Sequence, residues 1–454
     1  MNGRASVLIV VVLIATSAVL IVLRIQASTG EATIGESRAD APAGPYDANP
    51  SHIWNRLHRQ FFVRTARNGK EYGINELDPL LWWETKYLVS GPSHQQAMSL
   101  LDEFLSTHAE KLITDPFKRA MLQRDLWAIF DWLTVVGEHR TEREEMQAKL
   151  AEAIRRVALP AEQIKRLPDN YAAAIKTNTF PTAYQPDKPA NAFLPAELLQ
   201  PDSPWILIGD ANGRIAAPSH VRSTPFQGRS TFLVFIRLPG GRDATLGYLQ
   251  QLRKFPRPWI YNTGLSMDVE PLVPNPELPQ FPEGTQTALV RRLILIDDQG
   301  NLTPTNITES VQLRVYRAIP PGTEIRQEEA RRTQDVFEFG LDRRKLFEGE
   351  AGGLRAVLPG EQHFSLFRAH GIDWFEKMDD PENLQGVVLS SCASCHASPG
   401  IHSFLSFSER RFVPSIRPPA FVESKIADSE FMAAGEKSRQ YEWGLLRGMW
   451  EAKR

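Results

Sequence analysis

The stretch Ser391–Gly400 reads S-C-A-S-C-H-A-S-P-G and holds two cysteines, the second followed at once by a histidine. Cys392, Cys395 and His396 are spaced i, i+3 and i+4, so on one helical turn their side chains share a face. The chain contains 2 Cys, both of them in this stretch. No thiol is left for a structural disulfide or a four-thiolate zinc site elsewhere, which gives this stretch unusual weight.

The order C-x-x-C-H is the pattern of covalent haem c attachment. Cys392 and Cys395 can reach the two vinyl groups on one porphyrin edge, and His396 can offer a neutral ring nitrogen to the iron. In this respect the stretch resembles the c-type cytochromes. The resemblance implies one covalently attached haem c with His396 as proximal ligand. It also implies a backbone carbonyl, for which Pro399 is a candidate, that accepts a hydrogen bond from the other ring nitrogen.

Three other interpretations of the motif stay open. A zinc site could use Cys392, Cys395, His396 and His402, although so compact a tetrahedral set is sterically awkward. A thioredoxin-like redox pair would need a βαβ pattern around it, which the sequence does not show. The last alternative is a chance occurrence of the pattern.

Length and composition bound the architecture. A chain of 454 residues predicts two or three domains. With 42% hydrophobic and 23% charged residues, the composition is typical of a soluble globular protein. The formal net charge is −2, so the overall balance predicts no nucleic-acid partner.

The N-terminus carries an unbroken run of apolar and small residues, Val7–Leu23, preceded by Arg4 and followed by Arg24. The run is just long enough to span a bilayer, so it predicts an uncleaved signal anchor, or else a signal peptide cleaved near Ala27. Either form predicts a protein on the extracytoplasmic, periplasmic face of a bacterial inner membrane. The signal anchor would attach it to that membrane through one N-terminal helix, and cleavage would release it into the periplasm.

Hydrophobic periodicity then predicts an α+β multidomain fold. Helical spacing dominates the first part, where Asp115-Pro116 marks a helix start. Short β-rich runs follow, such as Thr231–Ile236, and Asp297–Asn301 predicts a turn between two strands. The predicted parts are a signal anchor or signal peptide at 1–27, a flexible linker at 28–50, a helical domain at 51–180, a Pro-rich linker at 181–203, a small β-rich domain at 204–332 and a mainly α, cytochrome c-like haem domain at 333–454.

Within the last part, Pro381–Ser391 is predicted to be the helix that delivers Cys392. Asp428 is predicted to cap one final helix that runs through Trp450. The resemblance implies that this closing helix packs against the helix that carries the motif. Only C-x-x-C-H is specific in this region. In the β-rich part His220 stands alone and is interpreted as structural.

The second axial position of the iron decides what such a haem can do. Met432, close to the final helix, is the first candidate for the sixth ligand. His363 and His370 are the alternatives, since they flank an apolar segment that could approach from the far side. His402 lies too near the motif to cross the ring.

The sequence therefore predicts a membrane-tethered, single-haem c-type cytochrome that transfers one electron with an unidentified redox partner protein. It predicts an electron-transfer protein rather than a self-contained catalyst, and it identifies no catalytic residue. One alternative is a haem enzyme with an open distal site, of peroxidase or oxidase type. The other is a non-catalytic haem sensor of redox state or of a gas. The task of residues 50–330 is not assigned.

Overall fold

A computed structural model of the protein describes residues 44–65, 69, 71–75, 87–135, 137–211, 213, 215–222, 226–255, 259–261, 272–321, 332–363, 386–387, 389, 396, 398–405 and 421–452. The described residues all belong to one compact unit, residues 42–454. The described helices and strands all lie in the unit of residues 42–454.

Helices fill most of the chain before residue 180 and return at the C-terminal end. The predicted start at Asp115-Pro116 is confirmed, because Pro116 is the first residue of a long helix. The Asp115 carboxylate accepts hydrogen bonds from the backbone N–H groups of Phe117 (2.8 Å) and Lys118 (3.0 Å). The described helices are α1 Ile53–Phe62, α2 Gly91–Ser106, α3 Pro116–Val135, α4 Arg140–Val157, α5 Ala161–Lys165, α6 Asn170–Lys176, α7 Pro218–Arg222, α8 Gly241–Lys254, α9 Arg343–Glu348, α10 Ile401–Leu405, α11 Ile426–Ser438 and α12 Tyr441–Glu451.

The central element is a seven-stranded sheet whose neighbouring strands all run antiparallel. The described strands are β1 Arg64–Thr65, β2 Glu71–Tyr72, β3 Ile206–Asp210, β4 Ser230–Arg237, β5 Trp259–Tyr261, β6 Leu272–Pro274, β7 Gln286–Ile296, β8 Leu302–Tyr316, β9 Gln334–Leu341, β10 Leu354–Ala356, β11 Gln362–His363, β12 Gly386–Val387 and β13 Phe421–Glu423. The order across the large sheet is β10-β9-β8-β7-β4-β3-β13. The pairs β1–β2, β5–β6 and β11–β12 form separate two-stranded ribbons.

The longest hairpin, β7–β8, turns at the predicted site. The carboxylate of Asp297 accepts hydrogen bonds from the backbone N–H groups of Gln299 (2.9 Å) and Asn301 (2.8 Å). Gly300 has a φ of 79°, which a glycine adopts without strain. Side chain and backbone together therefore fix the turn Asp297–Asn301, as the sequence predicts.

The predicted fold class is wrong in its last part. The region after residue 333 is not a mainly α, cytochrome c-like domain, because β9, β10 and β13 belong to the same sheet as β3, β4, β7 and β8. Strand β9 buries Phe337, Phe339 and Leu341 at alternate positions, the pattern of a half-buried strand. The prediction of a mainly α domain was based on the haem-attachment motif and did not take this alternation into account.

Two helices predicted around the motif also differ from the structure. Residues Gly386–Val387 form strand β12, so they are not part of a helix leading to Cys392, and most of the rest of that predicted helix lies outside the described residues. The single closing helix is two helices, α11 and α12, and Asp428 lies inside the first turn of α11. On α12, Trp443 packs against Trp127 of α3 with ring centres 6.0 Å apart. The closing helix thus packs on the N-terminal helices.

Alternate residues of the sheet divide the core between its two faces. Leu207 belongs to a large apolar cluster that includes the N-terminal helices, whereas its neighbours Ile206 and Ile208 belong to a smaller one. Because successive strand residues point to opposite faces, the two clusters lie on opposite sides of the sheet. The smaller cluster also contains Ile401 of α10, so the segment after the motif lies on this face.

A buried ion cluster joins three distant parts of the chain. Asp131 of α3 accepts hydrogen bonds from the ammonium group of Lys437 on α11 (2.6 Å) and from the guanidinium group of Arg229 before β4 (2.8 Å). All three side chains are almost fully shielded from solvent. Burial lowers the pKa of Lys437, although the Asp131 carboxylate opposes that shift. Breaking such a cluster is costly because it leaves a buried charge without its partner.

The predicted membrane anchor is corrected by the structure. Among the residues that the structure describes, no helix is both long enough and apolar enough to cross a membrane. The run Val7–Leu23, on which the prediction was based, lies outside the described residues. The predicted transmembrane helix and the membrane-anchored periplasmic localisation thus find no support in the part of the chain that the structure describes.

Candidate functional site

The imidazole of His396 is held by the chain that immediately follows it. Its Nδ1 lies 2.9 Å from the backbone oxygen of Ser403 on α10. A carbonyl oxygen can only accept a hydrogen bond, so Nδ1 carries the proton and Nε2 is the basic nitrogen of the neutral ring. This is the tautomer that ligation of a metal through Nε2 requires.

The charge state of the ring agrees with that tautomer. Burial lowers the pKa of His396 to about 3, and the positive charge of Arg314 adds to the effect. The ring is therefore neutral at physiological pH, as a metal-binding imidazole must be.

The backbone at His396 is fixed to the sheet. Its carbonyl oxygen accepts hydrogen bonds from the Gln334 carboxamide (3.0 Å), from the Ser403 hydroxyl (2.9 Å) and from the Arg314 guanidinium (3.4 Å). Arg314 belongs to β8 and Gln334 to β9, so two neighbouring strands hold the end of the motif. Three donors on one carbonyl leave this residue little freedom to move.

A glycine permits the turn between His396 and α10. Gly400 has a φ of 51°, and a Cβ there would overlap the carboxamide of Gln280. The Gln280 Oε1 accepts hydrogen bonds from the backbone N–H groups of Ile401 (2.7 Å) and Phe281 (2.8 Å). Only a glycine leaves room for that side chain, which caps the first residue of α10.

The carbonyl predicted from the cytochrome resemblance is a different one. The oxygen of Pro399 lies 3.1 Å from the backbone N–H of His402 and 3.5 Å from the Gln280 carboxamide. The acceptor for the His396 ring is Ser403, because the turn at Gly400 folds α10 back over the imidazole.

A second histidine lies beside His396. The ring centres of His220 and His396 are 6.2 Å apart, and the two ring planes differ by 8°. His220 belongs to α7 and also packs on Phe232 of β4, with ring centres 5.8 Å apart. Burial lowers the pKa of His220 to about 4, and the positive charge of Arg314 acts in the same direction. Both rings are therefore neutral at physiological pH.

The other predicted site residues are distributed as follows. Cys392, Cys395 and His370 lie outside the described residues. His363 is the last residue of β11 and pairs with Gly386 of β12, but its side chain is outside the described part. Their proposed roles therefore stay predictions.

Met432 and His402 have described positions. Met432 is half-buried on α11 and belongs to a helix that packs on β4. His402 is 3% exposed on α10, and burial lowers its pKa to about 4. The Nδ1 of His402 has no hydrogen-bond partner among the described residues.

The described part of the chain gives the zinc interpretation no further support. Within that part, no group of three or more His, Cys, Asp or Glu side chains could hold a metal ion. Because both cysteines lie outside it, the predicted zinc ligand set itself stays untested.

Comparison with known proteins gives no relative. No protein-family model, no curated protein and no solved structure matches the chain.

The sequence alone did not identify His220 or Ser403 as site residues. His220 follows a proline in a five-residue helix far upstream of the motif, and no local pattern connects the two. Ser403 acts through its backbone oxygen, which every residue possesses. Only the fold, which brings α7, α10 and the end of the motif together, reveals them.

Proposed function

We propose that this protein is a single-haem c-type cytochrome that transfers one electron at a time to or from a protein partner. The observation that carries the proposal is the end of the C-x-x-C-H motif. His396 is neutral, its Nδ1 donates to the Ser403 carbonyl, and its Nε2 is left as the basic nitrogen. The Ser403 carbonyl would fix the ring of an axial ligand in this tautomer, and the three donors on its backbone oxygen would fix its position.

The residues of the chain fit one haem c. Cys392 and Cys395 would form the thioether bonds, and His396 would supply the axial nitrogen. The haem would supply a one-electron iron couple, whose potential depends on axial ligands, burial and hydrogen bonds.

The chain contributes position and electrostatics. The Ser403 carbonyl orients the imidazole and makes Nε2 more basic, and therefore a stronger ligand for a metal. Hydrogen bonds to the non-ligating ring nitrogen have this effect at metal-bound histidines. The backbone of His396 is tied to β8 and β9 by Arg314 and Gln334, so the ligand stays in place when the charge at the site changes. The guanidinium of Arg314 is a positive charge close to the site, and such a charge favours the state with the extra electron.

The test is a potentiometric titration of the full chain, expressed in bacteria that carry the machinery for haem c attachment. The absorption spectrum should follow a reversible one-electron curve, and the colour should survive denaturation. The matched control is the Cys392→Ala/Cys395→Ala double variant, which should hold no covalent haem. Covalent haem in that variant, or none in the unmodified chain, would contradict the proposal.

The same sample separates a carrier from an enzyme. A carrier should turn over hydrogen peroxide no faster than free haem does, because it has no open coordination position and no assigned acid or base. Peroxide turnover well above that level would replace electron transfer by catalysis as the function.

A further inference from the structure

We propose that His220 is the second axial ligand, so that the iron is held between two imidazoles, those of His396 and His220. The proposal rests on the haem c site proposed for this protein and deepens it, because it assigns the coordination position that decides between a carrier and an open haem. It differs from the sequence-based expectation, in which Met432 ranked first.

The separation of the two rings is the main evidence. Bonds from a metal ion to an imidazole nitrogen measure about 2.0–2.1 Å, and each nitrogen lies about 1.1 Å from its ring centre. Two imidazoles on opposite sides of one iron therefore have ring centres about 6.3 Å apart. The ring centres of His220 and His396 are 6.2 Å apart.

Ordinary ring packing would also permit this distance, since packed aromatic rings have centres about 4.5–7 Å apart. The position of His396 favours ligation over packing. It is the histidine of the attachment motif, and the ring centre of His220 lies at the separation from it that two imidazoles on one iron would have. The two ring planes differ by 8°, a near-parallel arrangement that stacking and ligation of one iron both permit.

His220 is held in place by its own neighbours. Val221, next in α7, is fully buried, and its carbonyl accepts a hydrogen bond from the backbone N–H of Gly228 (2.9 Å). The guanidinium of Arg222 donates to Glu436 of α11 (2.7 Å). A five-residue helix alone would be a poor support for a ligand, but this one is fixed to β4 and α11.

The sheet brings the two histidines to the same face. Phe232 packs on His220 and is next to Leu233 in β4. Arg314 donates a hydrogen bond to the His396 carbonyl and is next to Leu313 in β8. Leu233 and Leu313 both belong to the larger core cluster, so Phe232 and Arg314 point to the opposite face. The two ligands thus come from distant segments that converge on one side of the sheet. Met432 has no described contact with His396.

The first experiment needs no variant. The full chain with covalent haem is examined by electron paramagnetic resonance when oxidised, and by absorption when reduced, before and after carbon monoxide. We expect the low-spin signature of two imidazole ligands, no charge-transfer band of a methionine ligand, and no spectral change with carbon monoxide. A methionine signature, or a spectrum shifted by carbon monoxide, would overturn the proposal.

The second experiment assigns the ligand to one residue. His220→Ala should turn the haem high-spin and allow carbon monoxide to bind, and added imidazole should restore the low-spin spectrum. His402→Gln is the matched control, because His402 is a buried histidine beside the same site and should leave the spectrum unchanged. A low-spin, carbon monoxide-resistant His220→Ala protein would overturn the proposal.

The two levels of failure can be told apart. If the unmodified chain holds no covalent haem, the proposed function fails and the ligand assignment fails with it. If covalent haem is present but His220→Ala retains the spectrum of the unmodified chain, the ligand assignment alone fails. His220→Met, which keeps a side chain able to bind iron, should remain low-spin and gain the charge-transfer band of a methionine ligand.

Discussion

Replacement of Gly400 by alanine tests whether the turn after the motif is shaped by one close contact. An alanine at a φ of 51° carries backbone strain of about 1–2 kcal/mol. Its Cβ would also displace the Gln280 carboxamide, which caps Ile401, and a lost hydrogen bond of this kind costs about 1 kcal/mol or more when a buried N–H is left unpaired. We therefore expect Gly400→Ala to lower the free energy of unfolding by about 2–4 kcal/mol.

The two contributions separate in a double-mutant cycle. In a Gln280→Ala background the clash is gone, and Gly400→Ala should cost only the strain of about 1–2 kcal/mol. Gly349→Ala is the strain control, because Gly349 has a φ of 74° and no atom near the position of an added Cβ. The assay is urea unfolding, at unchanged m, of the four full-length proteins of the cycle and of the Gly349→Ala control. An equal cost of Gly400→Ala in both backgrounds would refute the reasoning.

Three further predictions concern other parts of the fold. Asp131→Asn leaves the buried ammonium of Lys437 without its countercharge, so we expect a loss of about 3–5 kcal/mol in urea unfolding at pH 7. That loss should shrink as pH rises, because burial lowers the pKa of Lys437 and the neutral amine needs no countercharge, and a loss independent of pH would contradict the prediction. Gly352→Ala should destabilise the protein by about 2 kcal/mol more than Gly349→Ala in the same assay, because a Cβ at position 352 would overlap the backbone of α6. Equal costs of the two substitutions would exclude this clash. Burial lowers the pKa of His402 from 6.5 to about 4 in the folded protein. The unfolded chain therefore binds the proton more readily, and the free energy of unfolding falls as pH drops from 6.5 to 4. His402→Gln should remove up to about 3 kcal/mol of this loss, measured by urea unfolding across that pH range. A pH profile of stability unchanged by the substitution would contradict the prediction.

Local signals predicted the elements of the fold better than its assembly. The helix start at Asp115-Pro116 and the turn Asp297–Asn301 depend on hydrogen bonds between near neighbours, so the sequence shows them directly. Strand β4 lies where the run Thr231–Ile236 predicts it. These features need no knowledge of the rest of the chain.

The seven-stranded sheet could not be predicted in this way. Strand β13 has three residues and pairs with β3, more than two hundred positions earlier in the chain, so neither its length nor its composition marks it. Its pairing depends on the surface that β3 offers at the edge of the sheet. The expectation of a mainly α C-terminal domain failed because the motif carries no information about the strands around it.

The candidate site shows the same division. His396 and its two cysteines stand in one recognisable motif, which predicts their chemistry from spacing alone. The partners of His396 come from β8, β9 and α10, and His220 comes from α7, so their roles depend on long-range packing. A backbone oxygen such as that of Ser403 leaves no trace in a sequence.

The most direct test of the central claim is the intact mass of the denatured full chain after expression in haem c-attaching bacteria. We expect a mass increased by one haem, and an increase that disappears in the Cys392→Ala/Cys395→Ala variant. A chain that carries no added haem in cells that attach haem to a control cytochrome c would refute covalent haem binding by this protein. It would return the C-x-x-C-H motif to the zinc, thiol-redox or chance interpretations.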